Sequence, residues 1–357
     1  MKRSDVDTPA LILDLDRVEQ NIERLARFFS GRPANLRPHF KTPKCPEVAR
    51  LQLEAGAIGI TCAKLGEAEV LAHSGIETSI LLANQVVGRT KVRRLVELAA
   101  SVPDLIVAVD HPDQIRAIDA ELSGTKRRIG ALVEVDNGMH RCGTRDETGT
   151  VELATAIDKS RLQYRGIMGY EGHAVLVADP DERSRLAVRA LGELERHRSA
   201  LDRAGFEPEI VSAGGTGTYD ITGAAPLVTE LQAGSYVFMD GTYRKVRSEF
   251  EPALTVAATV IHARGRLLIT DCGMKALSHE FGLPEGADLP LRCVALSEEH
   301  GHVLIDDDAE LALGPGDRIE ILPSHGDTTI NLHEEYAVVR GEEVVDNWPI
   351  PARGKFK

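Results

Sequence analysis

Apolar runs recur along the first two thirds of the chain, each cut off by glycine, proline or polar residues. Eight of them read as strands: Leu36 to Lys41, Ile58 to Cys62, Ser79 to Asn84, Leu105 to Asp110, Ile129 to Asp136, Tyr164 to Tyr170, Glu209 to Ala213 and Glu230 to Phe238. Helical periodicity separates most of them. Pro46 to Ala55 and Val92 to Ala100 are examples, and the longest is Asp181 to Ala204, with Leu186, Leu191, Leu194 and Leu201 as its apolar positions. Eight strands with interleaved helices over roughly 240 residues predict an α/β fold built on a (β/α)8 TIM-type barrel. A doubly wound open sheet is the alternative. No G-x-G-x-x-G follows the first strand, which counts against dinucleotide binding.

Beyond about Glu249 helical periodicity gives way to short strands joined by turns: Ala253 to Ala263, Arg266 to Asp271, Leu291 to Leu296, Asp317 to Leu322 and Ala337 to Val345. The expected division is a barrel over residues 16–248 and a β domain over residues 249–357. Residues 1–15 are expected to add a strand to the β domain, because Ala10 to Leu15 precede the first helix, Asp16 to Phe29.

The chain has 357 residues, 43% hydrophobic and 27% charged, which suits one large domain and a smaller one. Its formal net charge of −13 argues against nucleic acid and anionic membranes as partners. Five cysteines, at positions 45, 62, 142, 272 and 293, form no C-x-x-C pair, so a reduced, cytoplasmic protein is expected. Met1 to Asp7 lack the apolar core of a signal peptide, and no stretch approaches the ~18 apolar residues of a membrane span.

Candidate chemistry clusters where barrel strands end, the place where such barrels build their sites. Lys41 closes the first strand, and an amine there can form a Schiff base with an aldehyde cofactor if its surroundings lower its pKa. Arg141 lies in Asp136-Asn137-Gly138-Met139-His140-Arg141-Cys142-Gly143 after the fifth strand, able to present a guanidinium to a ligand oxygen. Ser212-Ala213-Gly214-Gly215-Thr216-Gly217-Thr218 follows the seventh strand. Its glycines let backbone N–H groups approach a phosphate, and Thr216 and Thr218 add hydroxyls. Gln232-Ala233-Gly234-Ser235-Tyr236 at the eighth strand is a second segment of this kind, and phosphate sites in barrels often use the loops after strands seven and eight. In the β domain, His325 and Asp327 stand two apart in Pro323-Ser324-His325-Gly326-Asp327-Thr328-Thr329, so on an extended chain both face one side. Imidazole plus carboxylate suits Mn²⁺ or Zn²⁺, with Mg²⁺ less favoured, and two protein ligands leave positions for water and substrate.

The residues of these segments together resemble the fold-type III pyridoxal-phosphate enzymes, in the group of D-threonine aldolases and eukaryotic-type D-serine dehydratases, with alanine racemases as more distant members. The resemblance runs nearly end to end. It covers Asp7 to Asp14, Arg37 to Thr42, Thr61 to Ala68, Glu134 to Gly143, Ser212 to Thr216, Gly234 to Asp240, Asp271 to Ala276, Ser297 to Gly301 and Ser324 to Asp327. It implies an alanine racemase-type barrel carrying pyridoxal 5'-phosphate, a C-terminal β domain, a divalent metal and a homodimer. By that resemblance Lys41 matches the Schiff-base lysine and Arg141 the arginine on the cofactor's phenolic oxygen. Gly215, Thr216, Gly234 and Ser235, in segments with Ser212 and Gly214, match phosphate-binding positions, and His325 and Asp327 match the metal ligands. His173, in Gly169-Tyr170-Glu171-Gly172-His173, lies where the family brings a histidine or aromatic residue toward the substrate; a structural histidine is the alternative. Tyr170 and Tyr236 are aromatic candidates for contact with the cofactor.

Three positions depart from family patterns or discriminate within them. Pro43 follows Lys41-Thr42 where a histidine is frequent. Gln232 stands where alanine racemases place an arginine against the pyridine nitrogen, and a neutral amide leaves the ring a better electron sink. The metal motif is His-x-Asp, whereas dehydratase relatives present His-x-Cys to zinc; the harder carboxylate favours a Mn²⁺-like ion. The implied reaction is retro-aldol cleavage of D-threonine and related D-β-hydroxy-α-amino acids to glycine and an aldehyde, with His173 or metal-bound water as base. The alternatives are a D-serine or 3-hydroxyaspartate dehydratase, a β-hydroxyaspartate aldolase, and a non-catalytic cofactor carrier; the β domain counts against the last. His333-Glu334-Glu335 and Glu342 to Asp346 read as solvated turn and strand residues.

Overall fold

Eight parallel strands form a barrel in the unit made of Leu25–Lys41, Val48–Gly234 and Lys355–Lys357 of the computed structural model, which describes residues 1–357. In chain order they are Asn35–Leu36, Ile60–Cys62, Ser79–Leu82, Asp104–Val109, Gly130–Glu134, Gln163–Gly169, Ile210–Ala213 and Glu230–Leu231. Each of the last seven pairs with the next, and the eighth pairs with the first. The ring is completed by a parallel bridge between His39 and Thr61. The apolar runs are explained by this placement, because strands of a parallel sheet are covered on both faces. Gly130–Glu134 is buried throughout, and Leu81, Ile106, Ala108, Leu132, Met168 and Ile210 form one apolar cluster.

The longest helix, Pro180–Arg203, begins where the Asp179 carboxylate accepts the Glu182 N–H at 2.8 Å with Pro180 in the first turn. Helices Leu65–His73, Arg89–Leu98, Pro112–Leu122 and Glu147–Asp158 occupy other intervals between strands. No helix is long and apolar enough to cross a membrane.

The second unit comprises Met1–Arg24, Thr42–Glu47 and Ser235–Gly354. Its nine-stranded sheet runs in the order Leu267–Thr270, Gly301–Ile305, Leu291–Leu296, Glu285–Gly286, Arg318–Leu322, Leu254–Arg264, Ala10–Asp14, Glu335–Arg340, Glu343–Pro349. Leu267–Thr270 also pairs with Leu254–Arg264, so the first six strands close into a barrel of their own. Ala10–Asp14 lies antiparallel to Leu254–Arg264 and parallel to Glu335–Arg340.

Several local readings change. The segment read as one strand from Ala337 to Val345 is a hairpin, turned at Gly341 with φ of +55°, a left-handed conformation that glycine adopts at little cost. Gly301–Ile305 was hidden because its inward positions alternate with half-exposed His302 and Leu304. The eighth barrel strand stops at Leu231, and Ser235–Val237 is a 3₁₀ turn rather than its continuation. His333 is half-buried, with Nε2 2.8 Å from the Ala276 carbonyl, rather than solvated.

Candidate active site

In the barrel unit, the regular first strand is short, yet its hydrogen bonding runs on toward Lys41. The N–H groups of Arg37 and His39 donate to Leu231 and Ala233, and that of Phe40 donates to Thr61, at 2.7 to 2.9 Å. These bonds carry Lys41 to the carboxyl end of the barrel. Its own N–H lies 3.3 Å from Nδ1 of His39.

The loop after the fifth strand folds back on itself. The Asp136 N–H donates to Thr144, and Oδ1 of Asp136 accepts the His140 N–H at 2.8 Å and the Gly138 N–H at 3.3 Å. Burial pushes the Asp136 carboxyl up, but these backbone donors outweigh it and hold the group below its usual range. The loop presents Arg141 with its guanidinium carbon 5.9 Å from the Tyr170 ring centroid. His173 adjoins the same loop: a Cβ on Gly138 would lie 3.0 Å from its Cε1. The structure therefore places Arg141 over Tyr170, and His173 against Gly138 of the same loop. Glu134, at the end of the fifth strand, is 5% exposed and accepts a hydrogen bond from the Gln85 amide. Burial raises its pKa, against the lowering pull of that amide and of Arg141.

Glycines in the turn after the seventh strand let its backbone pack closely against its neighbours. A Cβ on Gly217 would meet the Val175 carbonyl oxygen at 1.7 Å, and one on Gly215 would meet the Tyr170 ring at 3.2 Å. Glu171, 1% exposed, braces the turn from behind by accepting from the Gly214 N–H at 3.1 Å and from the hydroxyls of Thr218 and Thr222. Gln232 donates from Nε2 to the Ser212 hydroxyl at 2.8 Å, tying the ends of the seventh and eighth strands together. A glycine-rich, braced turn with Thr216 at its head fits a phosphate group.

In the β unit, Ser235 and Tyr236 are buried, and Tyr236 packs edge-on against Phe250 with centroids 6.0 Å apart. His325 and Asp327 do not sit on an extended strand. His325 precedes the short helix Gly326–Ile330, and Asp327 lies in its first turn. They still converge, with Nε2 of His325 3.9 Å from Oδ2 of Asp327. Glu280 Oε1 is 3.9 Å from the same nitrogen, and Phe281 stands edge-on to the imidazole at 5.0 Å. Nδ1 of His325 lies 2.9 Å from Oδ2 of Asp240. A mixed N/O pair with the second imidazole nitrogen engaged elsewhere fits a divalent cation.

Sequence reasoning gave no role to Glu171 or Asp240. Both lie inside quoted segments, but neither type nor spacing signals a buried carboxylate that organises its neighbours.

Residues 13–241 match the family model for the alanine racemase N-terminal domain, and residues 253–339 match that for a putative serine dehydratase domain. A D-threonine aldolase of Arthrobacter sp is 36% identical, covering 98% of this chain and 93% of the relative. A 3-hydroxy-D-aspartate aldolase of Paracoccus denitrificans is 34% identical, covering 99% and 94%. The crystal structure of D-threonine aldolase from Filomicrobium marinum superposes with a TM-score of 0.95 at 38% identity, covering 99% of this chain and 98% of that one. Two family models in tandem, relatives matched over nearly their whole length and the shared barrel agree: the chain belongs to the alanine racemase-like enzymes of fold type III, among the lyases that include the D-threonine aldolases.

Proposed function

We propose that the protein is a pyridoxal-phosphate- and divalent-cation-dependent aldolase that cleaves D-threonine and related D-β-hydroxy-α-amino acids to glycine and an aldehyde. The observation that carries this reading is the His325–Asp327 pair, Nε2 and Oδ2 3.9 Å apart. A carboxylate where dehydratase-type relatives offer a thiolate favours a Mn²⁺-like ion over zinc.

Pyridoxal phosphate, when bound, supplies a conjugated ring that accepts the electrons of the bond broken beside the amino-bearing carbon, and the cation supplies a Lewis acid at the β-hydroxyl. Lys41 is the amine that holds the aldehyde. Arg141, whose guanidinium lies 5.9 Å from the Tyr170 ring, would donate to the cofactor's phenolic oxygen. Gly214, Gly215, Thr216, Gly234 and Ser235 would hold the phosphate, and Gln232, anchored on Ser212, would offer the ring nitrogen a neutral amide. His325 and Asp327 hold the cation. His173 is exposed at the rim of the Arg141 loop, which suits a base that takes the hydroxyl proton as the carbon–carbon bond breaks.

The 34% identical 3-hydroxy-D-aspartate aldolase makes a β-carboxylate substrate the second reading, differing only in the side-chain pocket. The cation requirement tests the first. Protein treated with chelator and reloaded with pyridoxal phosphate alone should release little glycine from D-threonine, and Mn²⁺ should restore release. Asp327→Ala should need far more Mn²⁺. Glycine release indifferent to chelator and to this substitution would remove the cation, and with it this reading.

A further inference from the structure

Asp240 is 1% exposed, and its carboxylate faces three backbone N–H groups and the His325 imidazole. Its Oδ1 accepts the N–H groups of Thr242 at 3.0 Å and Tyr243 at 2.7 Å. Its Oδ2 accepts the Gly326 N–H at 3.0 Å and faces Nδ1 of His325 at 2.9 Å. The preceding residue, Met239, has φ of +54°, a left-handed conformation uncommon for a residue with a side chain. Strain of this kind persists where the surroundings over-determine it. Here it directly precedes the carboxylate that lies behind the imidazole.

A carboxylate accepts hydrogen bonds and donates none. Facing Oδ2, Nδ1 carries the single hydrogen of the neutral imidazole, which leaves Nε2 with a lone pair. Nε2 is the nitrogen that looks toward Asp327 Oδ2 and Glu280 Oε1. We propose that Asp240 is a positioning residue for the cation site: it fixes the His325 tautomer and ring angle that leave the Nε2 lone pair on the side of Asp327. The cation part rests on the function proposed above; the tautomer does not.

Asp240→Asn makes a sharp test because the amide keeps the shape and changes one atom from acceptor to donor. Placed on the Thr242 and Tyr243 side, the amide nitrogen would oppose two backbone donors. Placed on the other side, it would oppose the Gly326 N–H and an imidazole that can exchange tautomers. The second arrangement loses less, so His325 should switch to the Nε2–H tautomer and present a hydrogen where the lone pair was.

The tautomer is read in metal-free, ¹⁵N-histidine-labelled protein at one fixed, mildly alkaline pH, from two-bond ¹H–¹⁵N correlations, with His325→Gln for assignment. Mn²⁺ affinity is read from the electron paramagnetic resonance signal of the free ion. The expected results are Nδ1–H in the unaltered protein, Nε2–H in Asp240→Asn, and an affinity loss of about 10- to 100-fold. Nε2–H in the unaltered protein overturns the proposal, and needs no variant to fold. An Asp240→Asn protein that keeps the original tautomer and affinity also overturns it. Nδ1–H in a protein that binds neither Mn²⁺ nor Zn²⁺ upholds the Asp240–His325 bond and refutes the cation site itself.

Discussion

At the scale of single residues, the chain separates groups whose chemistry is visible from their type from groups that matter through burial. Lys41, Arg141, His325 and Asp327 stand out as candidates because an amine, a guanidinium and an imidazole–carboxylate pair near strand ends suggest ligands at once. Glu171 and Asp240 are not legible, since a carboxylate in sequence looks solvated until its donors are seen around it. Glu134 belongs with these, and it carries a pH signature. Its folded-state pKa lies above the unfolded value because burial outweighs the Gln85 amide and Arg141. A raised carboxyl contributes stability fully present below the unfolded pKa and lost as pH rises through the folded one. Glu134→Gln keeps a partner for Gln85 without the buried charge. Urea denaturation should find the variant more stable than the parent at neutral pH, with the gap closing as pH falls through the carboxylate range. A gap independent of pH would contradict the assignment.

At the scale of elements, the number and order of the barrel strands were legible from apolar runs, because a strand buried on both faces has no polar face to interrupt it, though the first strand shares only Leu36 with its expected span and the eighth only Glu230 and Leu231. What pattern could not show was where regular pairing gives way to specific bonds. The ladder beyond Leu36 is continued by single hydrogen bonds to both neighbours, and the His325 segment turns into a helix where alternation suggested a strand. Just past the regular first strand, Arg37 Nε forms a buried ion pair with Glu230 Oε2 of the eighth at 2.9 Å, with side chains 4% and 2% exposed. Arg37 also donates to the Ser79 hydroxyl at 2.9 Å, while Oε1 of Glu230 has no partner. Removing one member of such a pair strands the other charge, at a cost of about 3–5 kcal/mol. Arg37→Met should lose about that much stability in denaturant unfolding, and Arg37→Met with Glu230→Leu should recover most of it. Additive losses would show that the pair is not coupled.

At the scale of the whole molecule, the order of elements identified the architecture: strand–helix alternation, then a run of strands, with the first strand returned to the second sheet. The candidate residues of the proposed reaction divide along the same lines. The barrel unit carries Lys41, Arg141, His173 and the glycine-rich turn around Gly215, and the β unit carries His325, Asp327 and the carboxylate behind them. Retro-aldol cleavage asks for both kinds of help, an electron sink and activation of the β-hydroxyl, whereas a racemase needs no cation and a carrier needs neither. The most direct measurement supplies the purified protein with pyridoxal phosphate, Mn²⁺ and D-threonine and follows the products by proton NMR. Glycine and acetaldehyde formed in equal amounts are the predicted result. A 2-oxo acid appearing with ammonia in their place would contradict it and make the protein a dehydratase.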